Sequence, residues 1–162
     1  MAAAAPARPR PAAAAGDRTL AYLNLHTGEK VTATYWADGA YLDDGLGEMD
    51  RVLRDFRTGE VTDMDRRLYD LLHALRRRLD TDAPFHVISG YRSPRTNAAL
   101  AQAGGGVAKR SLHMRGMAID IRVPGRSLKA LHRAARSLRG GGVGLYPRSN
   151  FVHVDVGRVR YW

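Results

Sequence analysis

Ser111-Leu112-His113-Met114-Arg115-Gly116-Met117-Ala118-Ile119-Asp120-Ile121-Arg122, answered near the C-terminus by Phe151-Val152-His153-Val154-Asp155-Val156-Gly157, decides how this chain folds. Side chains alternate between the two faces of a strand. From Met117 to Val123 that rule puts Met117, Ile119, Ile121 and Val123 on one face, and Ala118, Asp120 and Arg122 on the other. In the second stretch Phe151, His153 and Asp155 share a face opposite Val152, Val154 and Val156. Gly116 sits where the chain must turn between His113 and the first strand. If the two strands are neighbours, Asp120 and His153 aim at one point and His113 reaches it from the turn.

Imidazole and carboxylate donors suit Zn²⁺, and a catalytic zinc takes three protein ligands while leaving one position open. His113, Asp120 and His153 are the expected metal ligands, holding one zinc ion. The chain has no cysteine, which excludes a disulfide framework and a thiolate metal site.

Working outward, Leu20–Leu25 and Val31–Trp36 read as a hairpin turning through His26-Thr27-Gly28-Glu29. Asp38-Gly39 closes it, and His26 reads as a surface residue of the turn. Met49, Val52, Leu53 and Phe56 recur at helical spacing over Leu46–Phe56. A second helix follows, with Asp63 expected at its N-cap and Met64, Leu68, Leu71, Leu72, Leu75 and Leu79 along one apolar stripe. Its arginines read as a solvated face. Phe85–Ile88 is a short strand that delivers Ser89-Gly90-Tyr91-Arg92-Ser93, and Ser93 or Thr96 caps a helix through Ala98–Ala101. Gly104-Gly105-Gly106 breaks the chain ahead of His113. Ser127 caps a helix carrying Leu128, Leu131, Ala135 and Leu138, after which Val143–Tyr146 and Phe151–Val156 pair around Pro147–Asn150. Val159–Trp162 reads as a last edge strand. The succession predicts an α+β domain with a mostly antiparallel sheet and helices packed on one side.

With 162 residues the chain has room for one domain, and no run is apolar enough to span a bilayer. Residues 1–17, rich in Ala and Pro, read as a disordered leader or linker ahead of a folded domain over 18–162. The leader lacks the uninterrupted apolar segment of a secretory signal. A net charge of +10, carried mostly by arginine, favours an anionic partner, and a cell-wall polymer with free carboxylates is one. Nucleic acid is the weaker choice, because no recognised binding motif is present and the aromatics are not interleaved with the basic residues.

Ser-x-His-x-x-Gly-x-Ala-x-Asp, preceded by Ser89-Gly90-Tyr91-Arg92-Ser93 and followed by Gly-Val-Gly-x-Tyr-Pro and Phe-Val-His-x-Asp, resembles the zinc D-Ala-D-Ala carboxypeptidase and murein endopeptidase superfamily. Within it the chain is most similar to the YcbK/MepK-type periplasmic murein endopeptidases, over about Leu20 to Trp162. The resemblance implies a Hedgehog/D-Ala-D-Ala-peptidase-like fold and zinc-assisted hydrolysis of peptide crosslinks in peptidoglycan, between stem peptides containing meso-diaminopimelate or D-alanine. It also implies export to the periplasm or cell envelope behind a signal peptide, the leader here being either a trimmed one or one read from a start inside a longer leader. Arg92 matches the arginine that faces the substrate carbonyl in resembling enzymes, and Ser111 a serine that hydrogen-bonds substrate; Tyr91 and Tyr146 are expected to line the cleft.

The general base is the open point. Dipeptidases of the superfamily carry a Glu three residues before the last His ligand, where this chain has Asn150; other relatives carry a His two residues before it, where this chain has Phe151. Asp155, two residues beyond His153 on the same face, is the expected base. Its alternative role is to orient the ligand imidazole. A D,D-carboxypeptidase trimming terminal D-alanine, and a peptidoglycan-binding module without turnover, are the alternative functions.

Overall fold

The computed structural model describes residues 16–162; the first fifteen residues, and with them most of the expected leader, lie outside the described part. Eight strands form one mixed sheet: β1 (Arg18–Asn24), β2 (Lys30–Ala37), β3 (Ala40–Tyr41), β4 (Phe85–Ser89), β5 (Ala118–Arg122), β6 (Gly142–Tyr146), β7 (Phe151–Asp155) and β8 (Arg160–Tyr161). Their spatial order is β3-β2-β1-β4-β5-β7-β6-β8. Most neighbours are antiparallel, as expected, while β1 runs parallel to β4 and the edge strand β8 runs parallel to β6. The helices are α1 (Asp43–Val52), α2 (Arg66–Arg78), α3 (Pro94–Gln102) and α4 (Leu128–Leu138), with a short 3₁₀ turn over Leu112–Arg115.

One sheet face is apolar from β2 across to β6. Leu20 and Tyr22 of β1, Ala33 and Tyr35 of β2, Phe85 and Val87 of β4, Ile119 and Ile121 of β5, Val152 and Val154 of β7 and Val143 of β6 join a single core. The strand registers keep these residues aligned, with Val87 opposite Ile121 and Ile119 opposite Val154. Helices α1, α2 and α4 cover this face with Met49, Leu68, Leu72, Leu75, Leu131 and Ala135. The fold is α+β with a helical layer on one side, the architecture of Hedgehog-type and D-Ala-D-Ala-peptidase-like domains. The opposite face is left to carry polar groups.

The helix boundaries differ from those the spacing predicts. Helix α1 begins before Leu46 and ends at Val52, because the chain turns at Leu53 and its carbonyl accepts the N–H of Tyr91 at 2.7 Å. Asp65 and not Asp63 caps α2, accepting the N–H of Arg67, while its own N–H donates to Gly116 O at 2.8 Å. That tertiary bond ties the start of α2 to the turn before β5. Ser93 and Ser127 cap α3 and α4 through the N–H groups of Thr96 and Ala130. Each such cap contributes about 1 kcal/mol. His26 stacks on Phe56 with ring centroids 4.1 Å apart.

Candidate metal centre

The polar face of the sheet holds the site. Gly144, His153, Asp120 and Ser89 lie in one row across β6, β7, β5 and β4, each opposite its neighbour in the register. The alternation that buries Ile119, Ile121, Val152 and Val154 on the helical side therefore turns Asp120 and His153 to the other side. His113 comes from the 3₁₀ turn, which Ser111 caps by accepting the His113 N–H at 3.3 Å. Gly116 ends that turn at φ 63°, a left-handed conformation suited to glycine, and the chain then enters β5.

His113, Asp120 and His153 are buried, and one ligand atom from each lies within 4.8 Å of the others. His113 Nε2 is 3.3 Å from Asp120 Oδ1, and His153 Nδ1 is 2.9 Å from the same oxygen. With metal–nitrogen bonds of about 2.0–2.1 Å, two ligands of a tetrahedral ion sit roughly 3.3 Å apart. The donors are therefore already on the scale of one metal ion.

The hydrogen bonds behind the donors fix which ring nitrogen faces the centre. His113 Nδ1 lies 2.8 Å from Gly90 O. A carbonyl only accepts, so Nδ1 carries a proton there and Nε2 is the nitrogen turned towards Asp120 and the centre. His153 Nε2 lies 2.8 Å from Asp155 Oδ2, and that carboxylate also accepts from Gly142 N, Gly157 N and both Arg160 Nη atoms at 2.7–3.0 Å. His153 thus bridges two carboxylates, and although burial lowers its pKa, the bonds to Asp120 and Asp155 outweigh that and raise it; with Asp155 holding the Nε2 proton, Nδ1 is the nitrogen left to a metal in place of its proton. Burial pushes the Asp120 carboxyl up, but the His113 and His153 imidazoles outweigh it and hold the group well below the usual carboxylate range. Burial likewise raises Asp155, and its bonds from His153, Arg160, Gly142 and Gly157 outweigh that. Two imidazoles, each oriented from behind by an acceptor, and an ionised carboxylate are a donor set that fits a divalent metal, which would replace the protons between them.

The centre forms the floor of a cleft of about 570 Å³, lined by Arg92, the Gly105–Ala108 loop, Arg110, Ser111, Tyr146, Phe151, Arg160 and Trp162 among others. Arg92 approaches from the loop after β4, with Nη contacts of 3.3 Å to Asn97 Oδ1 and 3.4 Å to Ser89 Oγ. Its Nε is buried with no hydrogen-bond partner, and burial lowers the guanidinium pKa. Ser111 and Tyr146 line the cleft.

Two expectations need correction. Tyr91, its N–H anchored to Leu53 O, packs partly buried against the hydrophobic core and is not among the residues lining the cleft. Asp155 is fully buried beneath His153, with both oxygens occupied by N–H donors, so its geometry is that of the orienting alternative and not of a base facing water. Arg160 and Trp162 are cleft residues that the sequence reading left on an edge strand. Their alternation across Tyr161 was the available signal, but it acquires meaning only through the pairing of β8 with β6.

A family model described as peptidoglycan L,D-endopeptidase MepK, of the Peptidase_M15_2 group, matches residues 12–162. The chain belongs to this family. The peptidoglycan L,D-endopeptidase MepK of Escherichia coli K12 is 43% identical over 145 residues, which cover 90% of this chain and 80% of that protein. Shigella flexneri MepK aligns to the same extent. The probable peptidoglycan L,D-endopeptidase MepK of Haemophilus influenzae is 41% identical over 146 residues, covering 90% of this chain and 78% of its own. MepK membership makes the chain a member of a metallopeptidase family, and His113, Asp120 and His153 are its group able to hold a metal among the described residues. No helix of the described residues is long and apolar enough to cross a membrane.

Proposed function

We propose that this chain is a zinc-dependent murein endopeptidase that hydrolyses peptide crosslinks of peptidoglycan in the periplasm. The observation that carries the reading is the convergence of His113 Nε2, Asp120 Oδ1 and His153 Nδ1 at the floor of an open cleft, in a MepK-family chain. These three groups would hold the zinc. When bound, zinc supplies Lewis-acid polarisation of the scissile carbonyl and acidifies water at its open position.

The chain's own residues do the rest. Arg92 lines the cleft with its guanidinium held by Asn97 and Ser89, and a fixed guanidinium there would stabilise negative charge developing on the carbonyl oxygen. The Gly90 carbonyl and the Asp155 carboxylate hold His113 and His153 in the tautomers that ligation needs. Asp155 thereby acts on the reaction through His153 as a positioning residue. Ser111, Tyr146 and Arg110 offer polar contacts to the peptide, and the excess of arginine attracts its carboxylates.

The L,D specificity in the relatives' names supports a bond with an L-configured acyl centre and a D-configured amine centre, as joins two meso-diaminopimelate residues. A crosslink through D-alanine has a D-configured acyl residue, as does the terminal D-alanine bond cut by a carboxypeptidase. Incubation of zinc-loaded protein with purified crosslinked muropeptides, followed by mass analysis, separates these substrates. The account expects monomers from the L,D dimer and none with His113→Ala. Intact dimers after incubation with a metallated sample refute the hydrolase and leave a binding module.

A further inference from the structure

One wall of the cleft is aromatic and carries a directed hydrogen bond away from the metal ligands. Trp162 Nε1 lies 2.7 Å from the hydroxyl of Tyr146. An indole N–H only donates, so the Tyr146 oxygen is the acceptor and its own hydrogen must point elsewhere. Among the described residues no acceptor receives it. Tyr146 and Trp162 both line the cleft over the metal centre.

Both rings are held in place. Tyr146 stacks on Phe151, with centroids 4.6 Å apart and planes at 19°. Trp162 is pinned by backbone bonds to Val143 and Leu145 on β6, and it lies over Gly144, where an added Cβ would come within 2.4 Å of the indole. The Arg160 guanidinium covers the indole at 4.9 Å, and the His153 ring lies 5.3 Å from it. A phenol that can turn its O–H either way in the ring plane is thus fixed as a donor in one direction.

We propose that Trp162 is a positioning residue that orients the Tyr146 hydroxyl to donate to a carbonyl or carboxylate oxygen of the bound peptide. The inference rests on the hydrolase reading and deepens it. Tyr146 contacts the substrate, and Trp162 acts through Tyr146.

A double-mutant cycle tests this with the full, zinc-loaded chain and a purified L,D-crosslinked muropeptide dimer. Tyr146→Phe removes the donor; Trp162→Phe keeps a ring over Gly144 and removes the N–H. Each single change is expected to lower kcat/KM about 3- to 10-fold, and the double variant to match Tyr146→Phe within about twofold. Zinc content and melting temperature should stay at wild-type values. If Trp162→Phe disturbs either, replacement of Trp162 by benzothienylalanine, with sulfur in place of the N–H, repeats the comparison in an isosteric ring. Wild-type turnover in either single variant, or losses that multiply in the double, overturns the inference alone. A metallated wild-type protein that cleaves nothing fails at the earlier step and removes the hydrolase reading together with the inference.

Discussion

Asp155→Asn separates a general base from a positioning carboxylate. The Asp155 oxygens receive five N–H contacts: Gly142 N, Gly157 N and Arg160 Nη1 on Oδ1, and His153 Nε2 and Arg160 Nη2 on Oδ2. An asparagine has one oxygen and one amide nitrogen for those five donors. With its nitrogen towards His153, the ring must accept at Nε2 and carry its proton on Nδ1, which takes the lone pair away from the centre. With its nitrogen on the other side, Gly142, Gly157 and Arg160 Nη1 lose their acceptor. Either placement costs at least two charge-assisted bonds at a fully buried position. Loss of an outer partner of a ligand histidine weakens metal affinity about 10- to 100-fold, or about 1.4–2.8 kcal/mol. The assay is zinc competition against a chelator, read beside crosslink cleavage at limiting and saturating zinc. The expected variant binds zinc more weakly and regains much of its turnover when saturated. Unchanged zinc affinity with turnover abolished at every zinc concentration would refute the positioning role and restore Asp155 as the base.

Two further outcomes follow from the packing behind the site. A Cβ at Gly90 would lie 2.5 Å from Leu53 O, and the Gly90 carbonyl holds His113 Nδ1, so Gly90→Ala should displace a metal ligand. Overpacking of this kind costs about 1–3 kcal/mol, a melting-temperature drop of about 2–10 °C, and calorimetry of the zinc-bound protein should also show weaker metal binding. An unchanged melting temperature and zinc affinity contradict that packing argument. Asp55 is buried, which by itself raises its carboxyl pKa, but bonds from the Thr96 hydroxyl and the N–H groups of Ser93 and Arg57 outweigh this and hold it at about 2, below the usual 3.8. A depressed folded pKa stabilises above the unfolded value and is lost as pH falls, here from about 4 to about 2, and amounts to about 2 kcal/mol. Urea unfolding should find Asp55→Asn less stable than wild type at pH 6, with the gap closing towards pH 2; a constant gap contradicts the assignment.

The strands that build the site were legible because alternation is a local property. Ile119 and Ile121 on one side oblige Asp120 to face the other, and the same holds for His153 between Val152 and Val154. Ser93 and Ser127 were readable as caps because each precedes a helical run. Asp65 was not, since Asp63 precedes the same run and the bond to Gly116 O that sets the start of α2 is tertiary. Alternation also says which face Asp155 occupies without saying what covers it. Arg160 and the N–H groups of Gly142 and Gly157 enclose the carboxylate, and they come from β8, the start of β6 and the bend after β7, whose pairing no local pattern announces. Trp162 was lost for the same reason. Tyr91 was expected in the cleft from the resemblance, and nothing local to Ser89-Gly90-Tyr91 announces that its N–H is anchored to Leu53 O on the core side.

Titration of the metal-free protein with zinc, read as release of monomers from an L,D-crosslinked muropeptide dimer, tests the central claim most directly. The account predicts no cleavage without metal, a linear rise, and saturation at one zinc per chain, with His113→Ala, Asp120→Ala and His153→Ala silent throughout. Cleavage by the metal-free protein, or full activity in any of those three variants, would contradict it.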